Sequence, residues 1–304
     1  MLYPDFNDLV ALKDLKWDFA QASYRASHAL ALGGQHSPFR GQGPEFDSVR
    51  KYVPGDDIRN IDWRVTARTN SPHLKIFKEE RERHVLLCVD MNSAMRFGTR
   101  KTFKSVQAAH IASILGWRGI ANQDRISACL FGDVRNGIEY FPPTRTKRSF
   151  SKLLKRLSEP MSEQHEISLQ NAFQHISQIA HTGSLIYFIS DFMGFPQDCS
   201  LESNLNRLTK RCDVVLISVN DQADKSIYPV GALCFSSGKD QKILIDTNSF
   251  SGRTAYERQW IVNRQKLSET SSRLKIPLIE LTTESDIRRD LALGLKSLFR
   301  RKSL

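Results

Sequence analysis

From residue 84 onward, short apolar runs alternate with segments of helical periodicity, and this alternation restricts the fold more than any other feature. The runs have the length of buried strands and lie at residues 85–89, 125–131, 137–141, 184–190, 214–219 and 277–281. Apolar residues at helical spacing occupy residues 102–117, 147–157, 168–179, 201–210, 256–274 and 284–299. This order predicts an α/β fold with a doubly wound, mostly parallel, Rossmann-like sheet.

The chain before residue 84 has a different pattern. Apolar residues at helical spacing predict a helix over residues 8–32, and residues 43–83 are rich in Arg and Asp, with a strand predicted at 73–77. We therefore predict two domains. Residues 1–83 form an N-terminal helix and an Arg/Asp-rich module, and residues 84–304 form the α/β domain with a small hairpin inserted near 228–249.

The net charge of +11 favours anionic partners, and the basic stretches at 144–156 and 288–302 make nucleic acid an alternative partner. The five cysteines are far apart and form no CxxC pair, which is typical of reduced thiols in the cytosol. The N-terminus has acids where a signal peptide needs basic residues, and no apolar stretch approaches the length of a membrane span. We expect a cytoplasmic protein.

Two acids directly follow predicted apolar strands. Asp90 follows the run at 85–89, and Asp191 follows Ser184–Ser190. In doubly wound sheets, ligands bind at the carboxyl ends of the strands. Ser168 starts a helix and is a candidate N-cap. Oxygen atoms from three such loops can hold a hard cation such as Mg²⁺ or Mn²⁺.

From Asp90 on, the sequence resembles a von Willebrand factor A domain. The sheet-edge metal site of those domains uses an Asp-x-Ser-x-Ser loop, a Thr and a second Asp. The resemblance implies a degenerate, MIDAS-like metal site with the ligands Asp90, Asn92, Ser168 and Asp191. Two positions depart from the pattern, since Asn92 and Ala94 stand where the loop's first and second Ser belong. Asn92 still offers a carbonyl oxygen, whereas Ala94 offers no ligand oxygen.

The Arg/Asp-rich module contains a Pro-Gly turn followed by two acids that can cap a short helical turn. Its arginines at 50, 59, 64 and 68 can pair with carboxylates at 45, 56, 57 and 62. Trp63, between Ile61 and Val65, is predicted to anchor the module to the core. Two interpretations remain open: an internal Arg–carboxylate network, or a docking face for a partner.

The string EFDSVRKYVPGDDIRNIDWRVTAR, with LKIFKEERER after it, resembles the bacterial family called domain of unknown function 58. The residues that carry this likeness are Glu45, Arg50, Tyr52, Pro54, Gly55, Asp56, Asp57, Arg59, Asp62, Trp63 and Arg68. The resemblance implies a non-enzymatic adaptor that works with a MoxR-type AAA+ ATPase and with A-domain membrane proteins in chaperone-like maturation or metal insertion.

Motifs for catalysis are missing from the sequence. There is no GxSxG, HExxH, GxxxxGK[ST] or GxGxxG, so we expect neither an activated nucleophile nor nucleotide binding by this chain. The enzymatic alternative is a metal-dependent hydrolase that uses Asp56, Asp57 and Asp62. That alternative requires the three acids to converge without arginine partners.

Overall fold

The computed structural model describes residues 3–14, 45–53, 56–78, 83–160, 165–193, 195, 199–236 and 242–301. The chain divides into two compact units. The first, here called the α/β unit, comprises Met1–Ser27 and Arg83–Leu304, and the second, here called the small unit, comprises His28–Glu82.

The elements are labelled in chain order over both units. The strands are β1 Glu45–Lys51, β2 His73–Lys78, β3 His84–Met91, β4 Arg125–Gly132, β5 Ile138–Thr144, β6 Leu185–Ser190, β7 Asp213–Asn220, β8 Ala232–Ser236, β9 Lys242–Asp246 and β10 Leu278–Thr282. The helices are α1 Phe6–Ala11, α2 Trp63–Thr69, α3 Lys104–Ala121, α4 Lys147–Ser158, α5 Leu169–Ile179, α6 Cys199–Thr209, α7 Gln222–Lys225, α8 Phe250–Arg273 and α9 Ile287–Arg301.

The α/β unit is built on a six-stranded sheet in the order β10-β7-β6-β3-β4-β5. All neighbours pair in parallel except β5, which runs antiparallel to β4 at one edge. The chain therefore builds outward from β3 in both directions, which is the doubly wound arrangement. The predicted fold class, a mostly parallel doubly wound α/β sheet, is confirmed.

Both faces of the sheet are covered, which explains why its strands read as continuous apolar runs. Along β3, Val85, Leu87 and Val89 belong to a core that also includes residues of α1, α3, α4 and α9. The alternate residues Leu86 and Cys88 belong to the opposite core, which includes residues of α5, α6 and α8. Successive side chains point to opposite faces, so all of β6 is buried, as is all of β3 after the half-buried His84.

The first helix belongs to the α/β unit, although the sequence pattern groups it with the Arg/Asp-rich module. Leu9 is fully buried in the core beside α3 and α4. Its carbonyl accepts two hydrogen bonds, from Ser113 Oγ at 2.7 Å and from Trp117 Nε1 at 3.0 Å. A buried carbonyl needs such partners because it is removed from water. The rest of the helix predicted over 8–32 lies outside the described residues beyond Asp14.

The small unit contains an antiparallel pair of strands, β1 and β2. Among the described residues of this unit, the only other strand pairing is an isolated bridge between Ile61 and Leu74. The sequence pattern predicts β2 but misses both β1 and α2. Among the residues of this unit whose side chains the structure describes, only Leu74 is buried. A two-stranded ribbon with so little core depends on turns and caps for its stability.

The predicted hairpin is present as the antiparallel pair β8 and β9, and the residues between these strands lie outside the described part of the chain. Among the described residues, none of the helices combines the length and the apolar character that a membrane span requires.

We predict that Leu9→Ala lowers the free energy of unfolding of the whole chain by about 2–5 kcal/mol, because it leaves a cavity in the core of the α/β unit. Urea denaturation followed by far-UV circular dichroism measures this change. Lys13→Ala is the control, since the Lys13 side chain is half exposed on the adjoining turn. Equal stability of the two variants would contradict the assignment of α1 to this core.

Candidate functional site

The candidate site lies at the carboxyl ends of the central strands, where β3 and β6 are neighbours in the sheet. This is the topological switch point of the sheet, where the strand order reverses, and ligand-binding crevices in doubly wound sheets lie there. Asp90 lies near the end of β3, and Asp191 follows β6 directly. Both predicted acids are buried, with 3% and 4% of their surface exposed.

Asp90 is held by donors from both adjoining strand ends. Its Oδ2 accepts a hydrogen bond from Ser190 Oγ at 2.5 Å, and its Oδ1 accepts one from the Asn92 backbone N–H at 3.0 Å. Burial, together with the nearby charge of Asp191, raises the pKa of Asp90 to about 7. The carboxyl group therefore binds a proton in a pH range where an exposed aspartate is fully ionised.

Asp191 forms an ion pair with Lys104, a residue that the sequence analysis does not select. Lys104 Nζ lies 2.7 Å from Asp191 Oδ2 and 3.2 Å from Asp224 Oδ2. The Lys104 side chain is only 2% exposed, and the two carboxylates are 5% and 7% exposed. Burial lowers the pKa of Lys104, but the charges of Asp191 and Asp224 outweigh it and leave that pKa raised, so the ammonium stays charged.

A second cation, the half-buried Arg264 on α8, lies at the same edge. Its guanidinium donates to Ser218 Oγ at 2.7 Å, to the Asp191 carbonyl at 2.8 Å, and to the side-chain oxygen of Asn220. The guanidinium also lies over the Trp260 ring, 5.6 Å from its centroid. These contacts fix the loop that carries Asp191 to the ends of β6 and β7.

A further acid, Asp221, ties together three loops at this edge. It accepts hydrogen bonds from Thr99 Oγ1 and Thr283 Oγ1, both at 2.6 Å, and from the backbone N–H groups of Thr99 and Ala223, both at 3.0 Å. Burial works against ionisation of Asp221, but these donors outweigh it and lower its pKa. The ionised Asp221 carboxylate therefore has a structural role, because it accepts the hydrogen bonds that hold these loops together.

The other two predicted ligands, Asn92 and Ser168, have their side-chain oxygens engaged elsewhere. Asn92 forms a two-way amide pair with the backbone of Ile167, donating at 3.0 Å and accepting at 2.9 Å. Ser168 Oγ accepts from the Asn171 N–H at 3.2 Å and caps α5, as its position in the sequence predicts. Asn92 also packs closely on Gly132, where φ is +111° and a Cβ would lie 2.5 Å from the Asn92 nitrogen.

This arrangement does not fit a divalent cation. The Asp191 carboxylate is already paired with the Lys104 ammonium at 2.7 Å. A Mg²⁺ ion needs about six oxygens at roughly 2.0–2.1 Å. Among the described residues, no group of three or more His, Cys, Asp and Glu side chains is arranged to hold a metal ion. The chemistry of the edge is that of a closed and internally neutralised ionic cluster.

The sequence carried one overlooked signal for this cluster. Lys104 is the first residue of α3, where the positive end of the helix dipole disfavours a cation. No acidic residue in the first turn of that helix offsets the charge, and Phe103 provides no side-chain cap. An apolar helix that begins with an uncompensated lysine needs acids from elsewhere in the fold.

In the small unit, one ion pair joins a predicted arginine to a predicted acid among the described residues. Arg50 and Asp56 make a bidentate pair with N–O distances of 2.7 and 2.6 Å. Asp57 accepts from the Arg59 N–H and caps the short 3-10 turn Ile58–Asn60. Asp62 accepts from the N–H groups of Arg64 and Val65 and caps α2. The three acids thus serve three separate local structures and do not converge.

The remaining residues of the predicted motif are placed as follows. The described residues provide no carboxylate partner for the exposed side chains of Arg59, Arg64 or Arg68. Trp63 is 68% exposed, so the prediction that it is a buried anchor is wrong. Trp63 is the first residue of α2, and its apolar neighbours Ile61 and Val65 do not determine which way its side chain points. Tyr52 is half-buried and donates its N–H to the Pro72 carbonyl. Pro54, Gly55 and the Glu45 side chain lie outside the description.

The comparisons with known proteins decide the family. A family model described as "Protein of unknown function DUF58" matches residues 48–266. The chain belongs to this family. The DUF58 chain is 28% identical over 296 residues to Uncharacterized protein Rv1480 of Mycobacterium tuberculosis (strain ATCC 25618 / H37Rv), covering 94% of this chain and 89% of that protein. The same values hold for Uncharacterized protein Mb1516 of Mycobacterium bovis.

Two solved structures are similar to this DUF58 chain. One is the conserved hypothetical protein BatB from Bacteroides thetaiotaomicron, with a TM-score of 0.43 and 12% identity, covering 72% of this chain and 99% of that chain. The other is the SpRpn10 VWA domain, with a TM-score of 0.38 and 12% identity, covering 69% and 94%. The fold is von Willebrand factor A-like, and we assign it on the strand order of the sheet itself.

We predict that Asp90 makes the stability of this DUF58 protein fall as pH rises from about 4 to about 7. Its pKa is raised in the folded state, so the folded state binds a proton that the unfolded state releases. The stabilisation is present below the unfolded pKa and is lost as pH rises through the folded pKa.

Urea denaturation at a series of pH values tests this for the wild type and Asp90→Asn. The variant should lose stability less steeply over that pH range. Asp14→Asn is the control, because the Asp14 side chain is 77% exposed. Parallel pH profiles for the wild type and Asp90→Asn would contradict the assignment.

Proposed function

We propose that this protein is a non-enzymatic adaptor of the DUF58 family whose small unit docks a protein partner. The observation that carries the proposal is a set of exposed apolar side chains beside arginines without carboxylate partners among the described residues. Val53, Ile58 and Trp63 are 56%, 62% and 68% exposed. Exposed apolar groups of this size are characteristic of interaction sites when they occur together on a segment.

The composition of this segment is that of a binding surface. Trp and Arg are the residue types that contribute most to protein interfaces, because they combine large contact area with directional donors. Trp63 lies directly before Arg64 at the start of α2, and Ile58 directly before Arg59. A unit with a single described core residue gains further burial when a partner covers these groups.

The charge of the segment favours an acidic partner. Arg59, Arg64 and Arg68 are exposed, and the chain as a whole carries a net charge of +11. Complementary charge accelerates association and excludes basic competitors. We therefore propose a partner segment that presents acidic residues around an apolar anchor.

The partner that the DUF58 resemblance implies is a MoxR-type AAA+ ATPase. The chain has no glycine-rich phosphate-binding motif, so in this proposal the ATPase supplies nucleotide hydrolysis. The adaptor supplies recognition, in chaperone-like maturation or metal insertion that also involves A-domain membrane proteins. In this proposal the complex forms in the cytoplasm.

The hydrolase alternative has less support. It requires Asp56, Asp57 and Asp62 to share one site, whereas Asp56 pairs with Arg50 and the other two acids cap separate turns. The nucleic-acid alternative relies on basic stretches such as residues 144–156. In that stretch Arg156 is paired with Glu139 at 2.8 Å, and α4 turns its apolar residues into the core.

We predict that the full chain binds the MoxR-type ATPase of its own organism and that Trp63→Ala weakens this binding about 30-fold, as expected for the loss of a central interface tryptophan worth roughly 2 kcal/mol. Biolayer interferometry with the two purified proteins measures the affinity. Phe250→Ala is the matched control, since Phe250 is an exposed aromatic residue, 77% exposed, in the α/β unit.

Unchanged affinity in Trp63→Ala would remove the small unit from the interface. No binding of the ATPase by the wild type would overturn the adaptor proposal. Tight binding of duplex or single-stranded nucleic acid that weakens steeply with salt would favour the alternative that uses the basic surface.

A further inference from the structure

Three aspartates meet at the carboxyl edge of the sheet and cannot all remain ionised without a positive group between them. Taken as whole residues, Asp90, Asp191 and Asp224 are each at most 5% exposed. Ser190, which donates to Asp90, directly precedes Asp191, and one ammonium contacts both Asp191 and Asp224, so the three acids lie at one edge. Buried like charges at this range are strongly unfavourable unless a cation compensates them.

The compensating group is the side chain of Lys104. It enters the cluster from the first residue of α3 and brings its ammonium to 2.7 Å from Asp191 and to 3.2–3.3 Å from Asp224. The same ammonium lies 5.6 Å from the centre of the Phe97 ring, which closes it off on another side. Three donors on one ammonium match the acceptors that surround it.

We propose that the Lys104 ammonium takes the place of the divalent cation at this sheet edge, so that the site carries a permanent, covalently attached cation. The inference goes beyond the adaptor function and does not depend on it. It assigns Lys104, Asp191 and Asp224 to one built-in ion site that binds no metal while the lysine is present.

The balance of charge supports a monovalent occupant. One ammonium compensates one carboxylate fully, and the Arg264 guanidinium contributes a second positive charge close to Asp191. Asp90 is held by a hydrogen bond from the Ser190 hydroxyl. A divalent ion added to this cluster would exceed the charge that the carboxylates offer.

The built-in cation changes how this edge can recognise a partner. A bound divalent ion can keep coordination positions open for a carboxylate of a partner protein. The N–H donors of the Lys104 ammonium, in contrast, are already used in hydrogen bonds to the aspartates around it. Lys104 is also buried to 98%, so its charge is not presented to solvent. Any docking at this edge is consequently independent of Mg²⁺.

Manganese binding tests the proposal on the purified full chain. Electron paramagnetic resonance measures free Mn²⁺, and thermal unfolding is recorded in parallel with Mn²⁺ and with EDTA. The wild type should leave the Mn²⁺ signal unchanged and should show the same midpoint temperature in both conditions. Lys104→Ala removes the ammonium and opens space beside the aspartates, so it should bind Mn²⁺ at least about tenfold more tightly than the wild type.

The Lys104→Ala protein should also be less stable than the wild type in EDTA and should recover part of its midpoint temperature in Mn²⁺. Lys104→Met is the matched comparison: it removes the charge but fills the space, so it should be destabilised without recovery in Mn²⁺. Lys101→Ala, a change at an exposed lysine of the neighbouring loop, should behave like the wild type.

Stoichiometric Mn²⁺ binding by the wild type that is lost in Asp191→Asn would overturn the proposal, and this measurement does not require any lysine variant to fold. A folded Lys104→Ala protein that gains no Mn²⁺ binding would overturn it as well. Gain of Mn²⁺ binding by Lys104→Ala alone, with recovery of its stability, would establish the exchange of one cation for another.

Discussion

The ion pair of Lys104 with Asp191 is the interaction on which the carboxyl edge of this sheet depends. It joins the start of α3 to the end of β6 and, through Asp224, to the segment after β7. A buried ion pair is not by itself a large source of stability, because both charges lose their hydration. Here it links three segments of the chain at one point, because separating them would leave buried carboxylates without a cation.

The two compact units use charge in opposite ways. In the α/β unit, the acids at the sheet edge are matched by lysine, arginine, serine and threonine donors from the same unit, and the edge is closed. Among the described residues of the small unit, Arg50 and Asp56 form an ion pair, whereas Arg59, Arg64 and Arg68 are exposed, as are Val53, Ile58 and Trp63. The first unit compensates its charges internally, whereas the described part of the second exposes both charged and apolar groups.

The sequence predicts the sheet well because a strand buried on both faces leaves a strong local pattern. β3 and β6 are continuous apolar runs, and Ser168 is a capping residue by position alone. The pattern does not predict β1, because its sequence, EFDSVRK, has no apolar run and a register shift between Phe46 and Ser48 interrupts the alternation of polar and apolar residues. The sheet-edge cluster was predicted only in part, because Lys104 and Asp224 come together through the tertiary fold.

The burial of Leu9 beside α3 means that the chain enters the α/β unit before it forms the small unit, and then returns to the α/β unit at Arg83. The small unit is therefore an insertion, a segment at which the chain leaves the α/β unit and later returns to it. The entropy cost of closing such a loop grows only slowly, by about 0.6 kcal/mol for each doubling of its length. A change in the length of the inserted segment is therefore expected to cost the α/β fold little free energy, since the sheet and its two cores lie outside that segment.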